Sequence, residues 1–235
     1  MTRDAGHVAR IWRYPVKSMA GEALDSADVG WNGLAGDRRW AFIRPDMERS
    51  GFPWLTIRER PTMWKYQPRF LEADKPDTSA VVVRTPEGIE HDVDDPALAE
   101  ELGARVRVIK QNRGVFDTFP VALISMQTIS ALGVMADMSL DPRRFRPNLL
   151  LDTGDTAGFA EDEWVGAVLR IGALRLRVDK RDGRCVVTNV DPETTERDPA
   201  VLRTIARERG GQLGVYGTVV SPGRVAVGDR IVVES

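Results

Sequence analysis

The sequence predicts a mainly β fold of the α+β class, a barrel or sandwich interrupted by short helices. Two observations carry this. Short apolar runs recur along the chain, separated by Pro, Gly and Asp turns at close spacing. Helical patterns are few and isolated, so strands and helices do not alternate as in parallel βαβ units. The 235 residues, 42% hydrophobic and 29% charged, suit an ordinary globular protein of one large domain or two small ones.

The elements follow in order. Residues 7–16 carry Val8, Ile11, Trp12 and Tyr14 in loose alternation and read as a strand stopped at Pro15. Lys17-Ser18 falls at its end, where loops carry function. Residues 23–29 read as a strand, 30–36 as a loop, and 37–43 as a strand opened by Arg38 and Arg39. Shorter strands are expected at 54–57, 69–72, 80–85 and 105–110. A helix is expected over 97–102, with Asp95 as its cap, Pro96 in its first turn and Gly103 as its stop. The polar stretch 111–116 marks a boundary, dividing the chain into residues 1–112 and 113–235. Residues 120–124 read as a strand, after which Ser125 caps a helix bearing Ile129 and Leu132 on one side. Arg143-Arg144-Phe145-Arg146-Pro147-Asn148 leads into a buried strand at 149–151. A residue before proline is pushed toward extended geometry, which places Arg146 at a strand entrance. Residues 168–171 and 174–178 read as a hairpin with Arg175 and Arg177 on its outer face. Asp198-Pro199 opens the clearest helix, striped by Val201, Leu202, Ile205 and Ala206 and stopped by Gly210-Gly211. Residues 216–220, 225–227 and 231–233 close the chain as strands.

Lys and Arg number 33 against 35 Asp and Glu, a net charge of −2. That balance calls for neither nucleic acid nor an anionic membrane, so any basic site must be local. One cysteine excludes an internal disulfide framework and fits a reducing compartment. No apolar run reaches the length of a signal-peptide core or a bilayer span, and a cytoplasmic protein is expected.

Chemistry centres on residues 180–192, Lys-Arg-Asp-Gly-Arg-Cys-Val-Val-Thr-Asn-Val-Asp-Pro, which hold Cys185. Its thiol sits among Lys180, Arg181 and Arg184, and cations stabilise the thiolate that acts as nucleophile or metal ligand. Val186-Val187 reads as a strand entering a core, and Asp191-Pro192 as a turn. The competing reading of Cys185 is a buried small hydrophobe, the commonest fate of a free cysteine. His7 and His91 are the only histidines and read as solvated, which leaves a His-based metal site or a Cys–His pair without support. No Gly-rich phosphate loop is present. What remains is a set of cations at strand ends: Lys17, Arg38, Arg144, Arg146 and Arg184. Closing strands into a barrel brings such ends to one mouth. There guanidinium forks and a lysine suit a phosphate, assisted by hydroxyls such as Ser18, Thr118 or Ser125. Taken singly, each arginine reads better as an ordinary solvated side chain.

In order along the chain stand Tyr-Pro-Val-Lys-Ser (14–18), Gly-Asp-Arg-Arg-Trp (36–40), Arg-Phe-Arg-Pro-Asn (144–148), Arg-Cys-Val-Val-Thr-Asn-Val-Asp-Pro (184–192) and Val-Gly-Asp-Arg-Ile-Val-Val (227–233). This series resembles the MOSC family, named for the molybdenum cofactor sulfurase C-terminal domain, over nearly the whole chain. The resemblance implies a MOSC-type β-barrel with short helices and an N-terminal β-barrel-like domain, with a molybdenum cofactor of the molybdopterin form between them. It implies that Cys185 ligates the metal, a soft thiolate suiting a sulfur-loving ion. It further implies that Lys17, Ser18, Arg38, Arg146, Asn148 and Arg184 bind the cofactor, joined by Thr118 and Tyr216. Asp117 falls on an acid near the metal, a proton handler. The implied activity is reduction of N–O bonds in small N-hydroxylated compounds, as in the amidoxime-reducing components and a bacterial reductase of N-hydroxylated bases. The membrane anchor of the mitochondrial relatives and the iron–sulfur domain of the bacterial one have no counterpart here. No membrane attachment and an external electron-transfer protein are therefore expected. Phe119 stands where mitochondrial members have a small hydroxyl residue, so their pocket shape need not carry over. Two other readings stand beside this one: a sulfur carrier or transferase using a Cys185 persulfide, and a non-catalytic cofactor-binding protein.

Overall fold

A computed structural model describes residues 2–47 and 49–234. The N-terminal half holds strands β1 (Thr2–Arg13), β2 (Glu22–Leu24), β3 (Ser26–Gly30), β4 (Gly33–Leu34) and β5 (Trp40–Ile43). It continues through β6 (Gln67–Phe70), β7 (Val81–Arg84), β8 (Glu90–Asp92), helix α1 (Pro96–Leu102) and β9 (Arg107–Lys110). The C-terminal half holds β10 (Val121–Ser125), α2 (Met126–Ala136), β11 (Leu149–Asp152), β12 (Val168–Ile171) and β13 (Leu174–Gly183). Helix α3 (Pro199–Arg209) and strands β14 (Gln212–Ser221), β15 (Gly223–Ala226) and β16 (Arg230–Glu234) complete it.

The fold is mainly β, as expected. Strands run β11-β10-β14-β13-β12-β16-β1, and β1 pairs back with β11 to close a seven-stranded barrel. Each pairing in the ring is antiparallel except β10 with β11. Alternation fills the interior: β13 turns Leu174, Leu176 and Val178 inward and Arg175 and Arg177 outward. Val8, Leu123, Leu149, Leu169 and Val215 meet them in one core. Each such side chain contributes roughly 1.5–3 kcal/mol by leaving water.

Helices α2 and α3 lie outside the barrel, burying Ile129, Leu132, Val201 and Ile205 against Trp12, Tyr14 and Leu213. Their caps are those read from sequence: Ser125 Oγ accepts from Thr128 N at 3.0 Å and Asp198 Oδ1 from Ala200 N at 2.9 Å. A second core gathers Phe42, Ile57, Met63, Val83, Leu98 and Leu102 beneath the β6-β7-β8 meander, the β5–β9 pair and α1.

Strand pairing joins the two halves of the sequence: β1 is a stave of the barrel, and β3 pairs with β15 near the other end of the sequence. Local expectations are corrected. Residues 54–57 form no strand; Trp54 makes one isolated bridge to Ile43. Val186-Val187 opens a 3₁₀ turn (Val186–Asn189) with Val186 exposed, instead of a strand entering a core. Arg146 is not extended. It terminates the 3₁₀ turn Pro142–Phe145 in the left-handed region, φ 50°, its N–H donating to Arg143 O. Stacking of its guanidinium on Tyr14 and Trp64 holds it there against the preference of a pre-proline residue.

Candidate functional site

The cleft lies where the mouth of the barrel meets the N-terminal half. Backbone crossings set its floor: Arg38 N donates to Tyr14 O (2.6 Å) and Lys17 N to Trp40 O (2.8 Å), binding two loops together. On the barrel side, irregular pairing of β13 with β14 between Arg181 and Gly183 ends the ladder and releases Arg184-Cys185 into the cleft. Gly214 on the facing strand has φ +70°, and a Cβ there would stand 2.7 Å from Leu123 O and 3.2 Å from Arg184 Nη2. Only glycine lets the arginine lie so close.

Lys17, Ser18, Arg38, Arg144, Arg146, Asn148, Arg184, Cys185, Asp117 and Tyr216 all line this cleft, whose cavity volume is ≈ 100 Å³. Thr118 and Ser125 are the exceptions among the expected site residues. Thr118 is exposed and outside the lining, between Asp117 and Phe119, which line it. Ser125 is fully buried away from the cleft, its hydroxyl donating to Glu161 at 3.0 Å. Ser18, Arg38 and Arg146 hold left-handed backbone at φ 67°, 50° and 50°. Such conformations cost about 1–3 kcal/mol each and collect where function fixes the geometry.

Carboxylates compensate most of the cations. Lys17 Nζ meets Asp117 at 2.6 Å and donates to Val115 O at 3.1 Å. Burial pushes the Lys17 ammonium below the ordinary lysine value, while Asp117 opposes that. Burial would raise Asp117, but Lys17, Arg38 and Arg58 together hold it below the usual carboxylate range. Asp37, fully buried, pairs with Arg38 and accepts from Tyr14 N at 2.7 Å. Asn148 completes this knot. Its amide donates to Asp37 (3.1 Å) and Trp12 O (3.3 Å), and its oxygen accepts from Ala122 N (3.1 Å) and Arg38 Nη1 (3.4 Å). Its polar atoms are thus engaged within the protein, where they orient Arg38. Arg144 pairs with Asp191 at 2.6 Å and Arg184 with Asp182 at 2.8 Å.

Two cations differ. Arg146 lies over the rings of Tyr14 (4.2 Å) and Trp64 (4.7 Å) and donates through Nη1 to Met19 O. Its Nη2 is buried with no hydrogen-bond partner among the described residues, and burial lowers the guanidinium pKa to about 10. Arg58 reaches Cys185 Sγ at 3.4 Å. Neither has a carboxylate within ion-pair distance among the described residues.

Cys185 is half-buried rather than sealed in the core. The cations next to it in sequence turn elsewhere: Arg181 toward Asp162 (3.1 Å), Lys180 over the ring of Phe119, and Arg184 toward Asp182, Phe145 O and Leu213 O. The guanidinium at the sulfur comes from Arg58, 127 positions away. Sequence reasoning missed Asp37, Phe52, Arg58 and Asp182. Asp37 stands within a quoted motif, so its signal was available; Phe52 and Arg58 have none. Asp182 is buried, and burial raises its carboxyl to about 6 against the pull of Arg184 and Tyr216.

A family model for the MOSC domain matches residues 110–232, and one for the MOSC N-terminal beta barrel domain matches residues 5–116. The chain belongs to the MOSC domain family. Mitochondrial amidoxime-reducing component 1 of Homo sapiens is 24% identical over 291 residues, covering 98% of this chain and 84% of its own. Molybdenum cofactor sulfurase of Drosophila mojavensis is 27% identical over 248 residues and covers 86% of this chain, which spans 30% of the sulfurase. The YuaD protein from Bacillus subtilis has a similar fold, with a TM-score of 0.54 at 14% identity over 100% of this chain and 97% of its own. The names of these MOSC relatives tie the family to the molybdenum cofactor and to amidoxime reduction. Among the described residues no group of His, Cys, Asp and Glu forms a conventional metal cage, and no helix is long and apolar enough to cross a membrane.

Proposed function

We propose that the protein is a molybdenum-cofactor-dependent reductase of N–O bonds in small N-hydroxylated compounds, drawing electrons from a separate donor protein. One observation carries the reading. A buried guanidinium N–H without a partner among the described residues, on Arg146, shares a cleft with a half-exposed thiol that is not part of the hydrophobic core. An unsatisfied buried donor costs about 1–3 kcal/mol and calls for an anionic acceptor. The residues therefore fit a phosphate-bearing pterin with a thiolate-bound metal. Arg146 and Lys17 would hold the phosphate end, with Ser18 and Arg38 beside them, and Cys185 would hold the metal. When bound, the molybdenum group supplies the two-electron chemistry that accepts the substrate's oxygen.

The protein's own groups do the rest. Asp37 and Asn148 fix the angle of Arg38. Asp117, held ionised by Lys17, would accept a proton, and Asp182 neutralises Arg184 at 2.8 Å. Phe52, Phe116 and Phe119 line the cleft and restrict water around the reacting atoms.

The test is metal analysis of protein made in a cofactor-competent host. Wild type is expected to carry about one molybdenum per chain and to reduce an amidoxime with a supplied reductant. Cys185→Ala is expected to lose both. Molybdenum-free wild type that bears an extra sulfur on Cys185 would replace this reading with sulfur transfer.

A further inference from the structure

Of the cleft's cations, Lys17, Arg38, Arg144 and Arg184 are each matched by a carboxylate, which leaves Arg146 and Arg58. The two stand in different places. Arg146 lies deep, stacked between Tyr14 and Trp64, where the proposed cofactor's phosphate belongs. Arg58 stands beside the thiol, its guanidinium over the ring of Phe52 at 5.0 Å. It is held from both sides. Its N–H donates to Thr56 Oγ1 at 3.2 Å, and its carbonyl accepts from Arg197 at 2.7 Å. Thr56 is itself tied to Glu59, whose carboxylate accepts from both the Thr56 hydroxyl and its N–H. Arg197 in turn bridges back to Val190, just beyond the 3₁₀ turn that follows Cys185. A guanidinium on a backbone fixed in this way, with no carboxylate at ion-pair distance among the described residues and next to the thiol, is a preformed anion receptor.

We infer that Arg58 binds an anionic group of the substrate, so that the cleft selects N-hydroxylated compounds bearing a carboxylate near the N–O function. This rests on the reductase reading. Phe52 supplies the apolar wall for the substrate's hydrocarbon part, and the Arg58 fork orients its carboxylate. One charge-assisted pair of this kind changes affinity by about tenfold or more.

The experiment uses molybdenum-loaded protein and calorimetric titration with benzamidoxime and its 3- and 4-carboxylate derivatives, beside turnover of the same compounds. Molybdenum content is determined for every variant. At least one carboxylate derivative is expected to bind about tenfold more tightly than the neutral compound. In Arg58→Gln that ratio falls toward one, and Arg58→Lys restores part of it. Equal affinity for charged and neutral compounds in wild type, or a ratio unchanged in Arg58→Gln, overturns the inference. Because binding is read directly, tight carboxylate binding without turnover would sink the reductase reading and leave the anion receptor standing. Turnover with no preference between the compounds would do the reverse.

Discussion

Replacing Arg146 by methionine separates a residue kept for a ligand from one kept for the fold. Burial lowers the guanidinium from its ordinary value to about 10. Charging it in the folded state therefore costs about 3 kcal/mol, present in full below pH near 10 and released only above it. The Arg146→Met variant escapes that cost. It loses the hydrogen bond to Met19 O, roughly 2 kcal/mol for a charged donor. It also loses cation–π contacts to Tyr14 and Trp64, about 1 kcal/mol each. The opposing amounts nearly cancel, so cofactor-free variant and wild type are expected to unfold within about 1 kcal/mol of each other. Anion binding behaves differently. Without the free N–H, pyrophosphate affinity is expected to fall about 30-fold or more, the equivalent of one charge-assisted hydrogen bond. Urea unfolding of cofactor-free protein, with and without pyrophosphate, reads both quantities, since a ligand of the folded state raises the midpoint. Destabilisation beyond about 3 kcal/mol without ligand would make Arg146 a structural residue. Equal stabilisation of variant and wild type by pyrophosphate would refute the anion site.

Two further outcomes follow from the same electrostatics. Asp182 titrates near 6 when folded and near 3.8 when unfolded, so the stability it supplies is complete below pH 3.8 and is lost as pH rises through 6. Wild type should fall relative to Asp182→Asn by about 3 kcal/mol between pH 3.8 and 7, and parallel unfolding profiles would remove the buried acid from consideration. The Lys17–Asp117 pair should respond asymmetrically, because the lysine side chain is 6% exposed and the aspartate 50%. Asp117→Ala strands a buried ammonium and is expected to cost about 3 kcal/mol. Lys17→Met leaves a carboxylate that water can reach and should cost about 1 kcal/mol, both read by urea unfolding.

The local grammar of the fold was legible because it rests on nearest-neighbour chemistry. Asp95, Ser125 and Asp198 cap helices as their residue types dictate, and the 168–178 hairpin alternates as its sequence does. What escaped depends on partners distant in the chain. Arg146 abandons extended geometry because Tyr14 and Trp64, remote in sequence, hold its guanidinium. The cations flanking Cys185 suggested an activated thiol, yet they are diverted to Asp162, Phe119 and Asp182. The site's motifs could be placed from the sequence, and Lys17, Arg38, Arg146 and Cys185 do share one cleft. Whether a charge there is already matched by a carboxylate could be seen only once the chain was folded.

The β1 ladder carries a kinetic consequence. Thr2, Arg3 and Asp4 lie opposite Glu234, Val233 and Val232. The ring's last seam therefore waits until the ribosome has delivered the final stave. During synthesis the flanks of β1 and β12 that β16 will cover stay open, available to foreign strands, and contacts this remote in sequence form slowly. Refolding from denaturant should consequently be sluggish and sensitive to protein concentration, and chaperone dependence in the cell would have its origin in that seam rather than in the cleft.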